Sequence, residues 1–556
     1  MSRPTAYSPP RSEYPIDLDL SRNEGQPPST SLLSHVSDEA RLVSRYPETS
    51  ALRESIAELH GVDTDRVLVT AGGDDALLRC FLARMGPGRK AVATYPSFEM
   101  IPRYAGQVGG RLVEVPWWQG AFPTEAVMSA ISDDTDAVFV VSPNNPTGGV
   151  IDEAALGEMA ARARLVVLDA AYGDFADCDL TGAALEMKNV AIVRTLSKAW
   201  GLAGLRVGYL LGSTELVTEL AAYANPYPVS GLSASLATKR LNDRNEVAEF
   251  IGNVRSQRDA LAGILDSLGV VTLPSQANFL LARFDAPEWV LSAAASLGVA
   301  LRRFPHRPGL ESYLRITLPG DQPRFERLVH TLASAVAPEA LLFDIDGVLA
   351  DVSDSQVTAI VETAASFGVD VTRRDIEEAK AAGNANDDWE LTRRLCADSG
   401  VEAPISVVID RFETLYQGVD GLEGLKLREE ALVDAATLER WAEMLPIGVV
   451  TGRPRSDAEE FLARFGMLDS ISVLVAKEDT RLKPDPAPVR LALERLGVDR
   501  AWMLGDTPDD VAAARGAGVI PIGIVAPGDD PNRARRSLAG VARILGSVSE
   551  LEGLFS

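Results

Sequence analysis

PEALLFDIDGVLADVS, from Pro338 to Ser353, contains the pattern that decides how this chain is divided. The apolar run Leu341–Phe343 ends at Asp344, Asp346 follows two residues later on the same face, and Gly347 supplies a turn. An apolar run that ends in carboxylates and a glycine turn is typical of a strand end at the ligand-binding edge of an α/β sheet. Because a stretch long enough for a whole enzyme precedes it, this pattern predicts that a second α/β domain begins here.

Length and composition predict a soluble protein of several domains. At 556 residues, the chain exceeds the roughly 250 to 300 residues at which a single core stops growing. Hydrophobic residues make up 46% of it, but no apolar run approaches the roughly 18 residues that cross a bilayer. The N-terminus lacks the apolar segment of a signal peptide, and the three cysteines are too scattered for a disulfide framework. We expect a cytoplasmic protein with no membrane span. The net charge of −25 disfavours nucleic acid as a partner.

Short apolar runs alternate with helix-like stretches from about Asp63 onward. The runs are RVLVTAGG, AVATYPSF, AVFVVSPNNPTGG, RLVVLDAAY, NVAIVRTLSKAWG and RVGYLLG. This alternation predicts a mostly parallel sheet whose strand ends bind a ligand. A helical segment near Asn242–Leu268, followed by strands in ANFLLARF and YLRITLPG, predicts a smaller α/β domain after it.

A second alternation follows Pro338. Its apolar runs are ALLFDID, LPIGVVTG, ISVLVAKED, RAWMLGD and VIPIGIV. A polar, helix-rich insert of about residues 355–430 separates the first run from the second. The pattern predicts another parallel sheet, with a helical cap inserted after its first strand.

The first candidate site surrounds the lysine of TLSKAWGLAGLRVGY, Thr195–Tyr209. A lysine that forms a Schiff base needs the phosphate of its cofactor to be held nearby. The hydroxyls of Thr195 and Ser197 and the guanidinium of Arg206 suit that anion. These residues predict a pyridoxal 5′-phosphate site at Lys198.

Residues upstream of this lysine complete the pattern. Asp169 ends the run RLVVLD, where a carboxylate could face a protonated pyridine nitrogen and keep the ring an electron sink. Tyr172, three residues later, and Asn145, in SPNNPTGG, could both hydrogen-bond the 3′ oxygen of the ring.

The segments PNNPTG, DAAY, SKAWGLAGLRVGY and LRIT together resemble the fold-type I, class I/II aminotransferases, most closely the histidinol-phosphate aminotransferase family. The resemblance covers about residues 16 to 336. It implies that Lys198 is the Schiff-base lysine and proton shuttle, and that the backbone amides of Gly73 and Asp74 help to hold the phosphate at a helix N-terminus. It also implies that Phe98 stacks on the ring and that Tyr46 reaches the phosphate of a partner subunit, which predicts a homodimer.

The same resemblance implies how substrates are bound. Arg315, in YLRIT, matches the arginine that grips the substrate's carboxylate, and in a histidinol-phosphate enzyme it would also serve the phosphate of the other substrate. The N-terminal segment SRNEGQPPS, with Asn23 as a candidate substrate-binding residue, would help to close the site. This segment and Ala170 depart from the usual family pattern, so they leave the identity of the substrate open.

The second candidate site begins at LLFDIDGVL. Asp344 could attack phosphorus as a nucleophile, and Asp346 is placed to protonate the leaving oxygen and then activate water. Thr451, Lys483, Asp506 and Asp510 follow at later strand ends. Strand ends meet at one edge of a parallel sheet, so these groups predict a phosphate pocket with a Mg²⁺ ion. The candidate metal ligands are Asp344, Asp346, Asp506 and Asp510, and Thr451 and Lys483 are the candidate phosphate-binding residues.

This ordered set resembles the haloacid dehalogenase superfamily, over about residues 339 to 556. Asp346 is informative because dehalogenases lack this second aspartate, so its presence implies a phosphatase or phosphomutase. The insert resembles a C1-type cap that closes over the leaving group.

The predicted fold class is therefore α/β: a fold-type I transferase with a large parallel-sheet domain and a small α/β domain, followed by a Rossmann-like phosphatase domain with a helical cap. The predicted limits are 1–338 (a flexible arm at 1–15, the large domain at about 45–245, the small domain at about 246–336) and 339–556 (the cap at about 355–430).

The leading functional prediction is a bifunctional enzyme. It would convert imidazole acetol phosphate, with glutamate as amino donor, to histidinol phosphate and then hydrolyse the phosphate ester. Three alternatives stay open at this point. The same chemistries could act on another amino-alcohol phosphate, the first domain could be a decarboxylase of the phosphothreonine type, or the second domain could be a docking module without turnover.

Overall fold

The structure is a computed structural model, and it describes residues 12, 14–34, 41–419 and 421–555. Most of the predicted flexible arm, 1–15, thus lies outside the described residues. Contacts within the chain group the described residues into two compact units: 19–287 with 301–327, and 12–18 with 288–300 and 328–555. The predicted domain limits, 1–338 and 339–556, stay predictions. The contacts divide the chain differently, since they place residues 288–300 and 328–338 in the second unit.

A sheet of seven strands forms the centre of the first unit. Its spatial order is β1-β7-β6-β5-β4-β2-β3, and β7 alone runs in the opposite direction, so it pairs antiparallel with both β1 and β6. The strands are β1 (Val67–Thr70), β2 (Lys90–Tyr95), β3 (Arg111–Pro116), β4 (Thr135–Val141), β5 (Val166–Asp169), β6 (Val190–Thr195) and β7 (Gly208–Leu211).

Helices cover both faces of this sheet, which explains why its central strands are apolar on both sides. All residues of β4, β5 and β6 are buried. On one face, the ring of Phe81 stacks on that of Phe139 with 3.9 Å between their centroids. The helices of the first unit are Ser31–Ser34, Arg41–Ser44, Ser50–His60, Gly72–Arg84, Met100–Gln107, Thr124–Ala130, Glu153–Arg162, Thr181–Leu185, Thr214–Ala221, Gly231–Asn242 and Asn245–Ser267.

A small antiparallel sheet completes the first unit. Its order is β10-β11-β9-β8, and its strands are β8 (Val271–Thr272), β9 (Phe279–Arg283), β10 (Arg302–Arg303) and β11 (Tyr313–Thr317). Arg315 lies opposite Leu281 in β9 and opposite Arg302 in β10, so the sheet brings two arginines side by side.

The second unit contains a parallel sheet of six strands, in the order β14-β13-β12-β15-β16-β17. The strands are β12 (Ala340–Phe343), β13 (Ile447–Val450), β14 (Val473–Val475), β15 (Ala501–Gly505), β16 (Ile520–Ile524) and β17 (Arg543–Leu545). The helices around it are Ala435–Met444, Arg455–Arg464, Ala487–Leu496, Pro508–Gly516 and Pro531–Ser537. Because β12 is central, Asp344 at its end stands between the ends of β13 and β15.

Four helices inserted after β12 form the cap, as the sequence predicts. They are Gln356–Ser366, Arg373–Ala381, Asp388–Asp398 and Ile405–Gln417, and they share a core of their own that includes Ile360, Leu391 and Phe412. A short ladder pairs Ala350–Asp351 with Glu430–Ala431 where the chain enters and leaves the cap.

Two further helices, Pro287–Ser296 and Gln322–Val336, contribute residues to the second unit. The indole of Trp502 donates a hydrogen bond of 2.8 Å to the Ser334 carbonyl, and that of Trp289 donates one of 2.8 Å to the Ala335 carbonyl. The two indole rings pack edge to face, with 4.8 Å between their centroids. Among the described residues, no helix combines the length and the apolar character needed to cross a membrane.

Candidate active sites

A cavity of about 320 Å³ lies at the carboxyl ends of β4, β5 and β6. Every residue predicted for the first site lines it, with the exception of Tyr46. These residues are Asn23, Gly73, Asp74, Phe98, Asn145, Asp169, Tyr172, Thr195, Ser197, Lys198, Arg206 and Arg315. Residues far apart in the sequence thus meet because successive parallel strands end at the same edge.

Asp169, the last residue of β5, is a buried carboxylate without a cation beside it. Its Oδ1 accepts a hydrogen bond of 3.1 Å from the Ala171 amide, and among the described residues it forms no ion pair. Burial, together with the nearby Asp74 carboxylate, raises its pKa to about 7. A protonated ring nitrogen would supply the missing positive charge, so this residue fits the pyridine ring of pyridoxal 5′-phosphate.

Lys198 follows β6 by three residues and points into the same cavity. Its Nζ donates a hydrogen bond of 3.1 Å to the Arg22 carbonyl and lies 5.7 Å from the centroid of the Tyr172 ring. Burial and, next, the Arg315 guanidinium lower the pKa of Lys198 to about 8. A larger fraction of this amine is therefore neutral near pH 7 than for an exposed lysine, as a Schiff-base lysine requires.

Each candidate for the 3′ oxygen, Tyr172 and Asn145, is hydrogen-bonded to a neighbouring side chain. Asn23 donates from Nδ2 to the Tyr172 hydroxyl at 2.9 Å, and Thr317 donates to Asn23 Oδ1 at 2.7 Å. Arg315 donates from Nη1 to Asn145 Oδ1 at 2.7 Å. The predicted ring-binding residues Tyr172 and Asn145 are thus each fixed by a predicted substrate-binding residue.

The opposite end of the cavity has the features of a phosphate site. The helix Gly72–Arg84 begins there and directs its free amides to it. The hydroxyl of Thr195 donates to Ser197 Oγ at 2.9 Å, and Arg206 Nη2 lies 3.1 Å from Asp74 Oδ2. Gly72 has a φ of +81°, which favours glycine and lets the helix begin close to Arg206. Phe98 is half-buried against the core beneath this cavity.

Tyr46 lies elsewhere. Its side chain is 81% exposed and stacks on the ring of Tyr227, with 4.6 Å between the centroids. Val43, Tyr223 and Tyr227 are exposed apolar residues as well. A tyrosine that reaches the cofactor of a partner subunit would have to be exposed in its own chain, so this position agrees with that prediction without testing it.

The sequence analysis missed two arginines of this cavity, Arg302 and Arg307. Arg302 forms an ion pair of 3.0 Å with Glu99, and Arg307 donates to the Ser97 carbonyl at 2.7 Å. The basic segment LRRFPHR, residues 301–307, was the available signal. With Arg315, these residues place three guanidinium groups on the small-sheet side of the cavity.

In the second unit, three carboxylates converge at the strand ends. Ligand oxygens of Asp344, Asp506 and Asp510 all lie within 4.8 Å of one another. Burial and the nearby Asp510 raise the pKa of Asp344 to about 7, although Lys483 opposes this. The buried Oδ1 of Asp506 has no hydrogen-bond partner among the described residues. The single ammonium of Lys483 cannot balance three carboxylates, and their hard oxygen ligands fit Mg²⁺.

Lys483 and Thr451, the predicted phosphate-binding residues, lie at or near strand ends of the second unit. Lys483 Nζ lies 3.0 Å from Asp344 Oδ2 and 2.6 Å from Asp510 Oδ1, and it donates to the Val450 carbonyl at 3.1 Å. Thr451 is buried at the end of β13, where its hydroxyl accepts a hydrogen bond of 3.1 Å from the Arg453 amide.

The structure does not bring the Asp346 side chain into the carboxylate group, where the sequence analysis placed it as a metal ligand. Its Oδ1 instead accepts hydrogen bonds from Arg453 Nε at 2.7 Å and from Gln356 Nε2 at 3.1 Å. Arg453 also lies 3.0 Å from the buried Glu429. Although burial opposes it, Arg453 holds the pKa of Asp346 below its usual range. Asp346 nevertheless lines the same cleft as Asp344.

A third aspartate of MLGDTPDD was also missed. The buried Asp509 carboxylate accepts hydrogen bonds from the amides of Asn384 at 2.8 Å and Ala385 at 3.0 Å, and from Asn386 Nδ2 at 2.7 Å. These donors belong to the cap segment GNANDD, residues 383–388. A Cβ at Gly452 would collide with the Asn386 carbonyl, so glycine is needed for this close approach. Asp509 therefore fixes a cap loop at the mouth of the cleft.

Two families of known proteins match the chain. The family described as aminotransferase class I and II matches residues 17–332, and the haloacid dehalogenase-like hydrolase family matches residues 338–518. Both resemblances inferred from the motifs are thereby confirmed.

Individual proteins from other organisms are similar to parts of this chain. The histidinol-phosphate aminotransferase of Roseobacter denitrificans is 35% identical over 314 residues, which are 54% of this chain and 87% of that protein. The protein of the same name from Thermococcus gammatolerans is 32% identical over 309 residues, 55% of this chain and 87% of its own. An imidazoleglycerol-phosphate dehydratase of Phytophthora nicotianae is 43% identical over 223 residues, but the match spans only 49% of its length and 39% of this chain.

Among solved structures, histidinol-phosphate aminotransferase from Sinorhizobium meliloti in complex with pyridoxal 5′-phosphate superposes with a TM-score of 0.53 at 23% identity, over 58% of this chain and 91% of that one. A second structure, from Erwinia carotovora, gives 0.53 at 21% identity, over 58% and 97%. These likenesses confirm the predicted fold of the first unit.

Proposed function

Because the chain belongs to the class I and II aminotransferase family and continues into a haloacid dehalogenase-like hydrolase, we propose that it is a bifunctional enzyme that aminates a phosphorylated ketone and then hydrolyses the resulting amino phosphate. The named reaction is imidazole acetol phosphate with glutamate giving histidinol phosphate, and then histidinol. The two family assignments confirm the predicted cofactors, pyridoxal 5′-phosphate and Mg²⁺. The observation that carries the proposal is an aminotransferase cavity with arginines for a second anion, followed in one chain by a phosphatase cleft.

The arginines of the cavity support a phosphorylated substrate. Arg206 belongs to the cofactor's phosphate end, whereas Arg302, Arg307 and Arg315 lie on the small-sheet side. Arg302 forms an ion pair with Glu99, and the guanidinium groups of Arg307 and Arg315 line the same cavity, where the anions of the substrates would bind. A carboxylate and a phosphate can both be held by such groups through paired hydrogen bonds. Relatives named for histidinol phosphate favour the imidazole side chain.

Bound pyridoxal 5′-phosphate would supply an electron sink for the carbanion formed at the substrate's Cα. Asp169 would hold the ring nitrogen in its protonated form, and Tyr172 and Asn145 would fix the 3′ oxygen. Lys198 Nζ would act as the proton shuttle. It would accept the proton from the substrate's Cα and then donate a proton back as the amino group is transferred. Its pKa of about 8 suits both tasks near neutral pH.

In the cleft of the second unit, an Asp344 oxygen would attack phosphorus and form an aspartyl phosphate while the bond from phosphorus to the alcohol oxygen breaks. Asp346 would donate a proton to that oxygen. Asp346 would then accept a proton from water as the water attacks the aspartyl phosphate, which releases inorganic phosphate and regenerates Asp344. Lys483 and Thr451 would hold the phosphoryl oxygens, and Asp344, Asp506 and Asp510 would hold Mg²⁺ to offset the charge.

We also propose a homodimer through the first unit. The exposed patch formed by Val43, Tyr46, Tyr223 and Tyr227 is apolar enough to be an interface, and the resemblance places Tyr46 at the cofactor of the partner subunit.

The test uses purified full-length enzyme with glutamate, Mg²⁺ and a panel of phosphorylated ketones, and it follows 2-oxoglutarate and inorganic phosphate separately. Imidazole acetol phosphate should give both products. EDTA or Asp344→Asn should stop the reaction at histidinol phosphate, with 2-oxoglutarate still formed. If Asp344→Asn released phosphate at the wild-type rate, or if phosphate came off the ketone first, the proposed sequence of reactions would be wrong.

A further inference from the structure

The cap contributes two oppositely charged side chains to the cleft over the catalytic aspartates. Lys380, near the end of one cap helix, and Asp388, at the start of the next, both line this cleft. Although burial opposes it, the Asp388 and Asp506 carboxylates raise the pKa of Lys380. No ion pair within 4 Å joins the two side chains in the described part of the chain.

Asp388 differs from Glu413 and Asp457, two other carboxylates that line the cleft. Glu413 accepts hydrogen bonds from the Trp389 indole at 3.0 Å and from Gln417 at 3.1 Å. Asp457 accepts one from Gln417 at 3.0 Å. The carboxylate of Asp388, in contrast, makes no hydrogen bond or ion pair with any described residue, although it faces the cleft.

The position of Asp388 is fixed by the core of the second unit. It ends the cap loop 383–388, whose amides and Asn386 side chain are bound by Asp509. The preceding Asp387 caps the helix by accepting from the Trp389 and Glu390 amides at 3.1 and 3.3 Å. Anchoring on both sides holds this carboxylate in place in the cleft that Asp344 and Asp346 also line.

Aromatic side chains border the same part of the cleft. Trp389, Phe412 and Tyr416 line it, and Lys477 Nζ already lies 3.6 Å from the centroid of the Trp389 ring. Aromatic faces and a free carboxylate together favour an organic cation over a neutral or anionic group. Asp344, which pairs with Lys483 and belongs to the candidate metal site, lines the same cleft and marks where a phosphate would bind.

We propose, building on the function above, that Asp388 binds the ammonium group of the amino phosphate and so makes the phosphatase select the aminated product over the ketone. An amino phosphate carries a cation close to its anion, and Asp388 and Lys380, which both line the cleft, carry the complementary pair of charges. The ketone precursor has no ammonium and cannot form this pairing. Dephosphorylation thus waits for amination, and the ketone is not lost to premature hydrolysis.

The expected size of the selection follows from one charge-assisted hydrogen bond. Such a bond corresponds to about tenfold to a hundredfold in kcat/KM between substrates with and without the ammonium. The discrimination should appear mainly in KM, because the ammonium lies away from the reacting phosphorus.

The experiment measures phosphate release by the full-length holoenzyme with Mg²⁺ for two matched pairs. One pair is histidinol phosphate and 3-(imidazol-4-yl)propyl phosphate, and the other is 2-aminopropyl phosphate and propyl phosphate. The wild type should prefer the amino member of each pair by at least about tenfold. In Asp388→Asn, kcat/KM for the amino member should fall to that for the deamino member.

Glu390→Gln is the matched control, since Glu390 is an exposed carboxylate of the same helix that pairs with Arg393 outside the cleft. It should keep the wild-type preference. p-Nitrophenyl phosphate reports in each variant whether the catalytic groups are intact. A wild type without preference, or an Asp388→Asn variant that keeps it, would overturn the inference. Failure to hydrolyse histidinol phosphate would count against the proposed function alone, because the aminopropyl pair still measures the preference.

Discussion

Neutralising Asp169 should make the cofactor-free protein more stable at alkaline pH while destroying its ability to use the cofactor. The folded protein raises the pKa of this carboxyl to about 7 from the ordinary value of 3.8. The folded state therefore binds one proton more than the unfolded state between these two values, and stability falls as the pH rises through that interval. Below about pH 4 the loss is absent, and above about pH 7 it is complete.

The difference of about 3 pH units corresponds to about 4 kcal/mol, at 1.36 kcal/mol for each unit. This is a large share of the roughly 5 to 15 kcal/mol by which domains are stable. Asp169→Asn keeps the size of the side chain and the acceptor for the Ala171 amide, so it should remove the pH-dependent loss. At pH 8 the variant apoprotein should be more stable than the wild type by up to about 4 kcal/mol, and at pH 4 the two should be nearly equal.

The assay is urea denaturation of the apoprotein, with unfolding detected by pulsed hydrogen exchange and mass spectrometry. This method is chosen because peptides from β5 and β6 report the unfolding of the first unit alone. Asp136→Asn is the control. Asp136 is also buried, but Arg89 and Arg164 pair with it at 2.7 and 3.0 Å, so its neutralisation should destabilise the protein at both pH values. A stability difference between Asp169→Asn and wild type that is the same at pH 4 and pH 8 would refute the reasoning.

Three further predictions concern the two sites. Lys198→Ala should remove the absorbance of the bound cofactor and all aminotransferase activity, yet leave Mg²⁺-dependent phosphate release intact; a borohydride-reducible adduct at another lysine would contradict the assignment. Tyr46→Phe should weaken cofactor retention, and the wild type should sediment as a dimer; a fully active monomer would rule out the shared site. Asp509→Ala should speed hydrogen exchange in residues 383–388, since three hydrogen bonds to one buried carboxylate are lost. The same substitution should raise the phosphatase KM by about tenfold. Unchanged exchange in these residues would show that the loop does not depend on Asp509.

The sequence predicted the central strands of both large sheets because each is a continuous apolar run buried on both faces. It missed β3 and β17, and both are edge strands. In β3, RLVEVP, only Val115 is buried, so the strand has no apolar run to recognise. Edge strands are stabilised by pairing with a neighbour more than by their own burial, and that pairing is not visible in a local pattern.

The same difference between local and distant signals separates the site residues that were predicted from those that were missed. Asp169, Lys198, Asp344 and Thr451 were predicted because they stand at or directly after strand ends, where local sequence and chemistry coincide. Residues whose role depends on a distant partner were not predicted. Arg453 is 107 residues from Asp346, and Asp509 is 123 residues from Asn386. Only the folded chain brings such pairs together.

The interleaving of the two units has a consequence for the history of such a gene. The chain passes between the units at 18–19, 287–288, 300–301 and 327–328. A gene divided at the codon for Pro338 would not yield two whole units, because the first product would carry Trp289 and Ser334 without Trp502, which contacts both of them. If two ancestral genes were fused, the helices Pro287–Ser296 and Gln322–Val336 then came to pack in the second unit. A return to separate genes would need several compensating substitutions at once. The two activities are therefore expected to be inherited together.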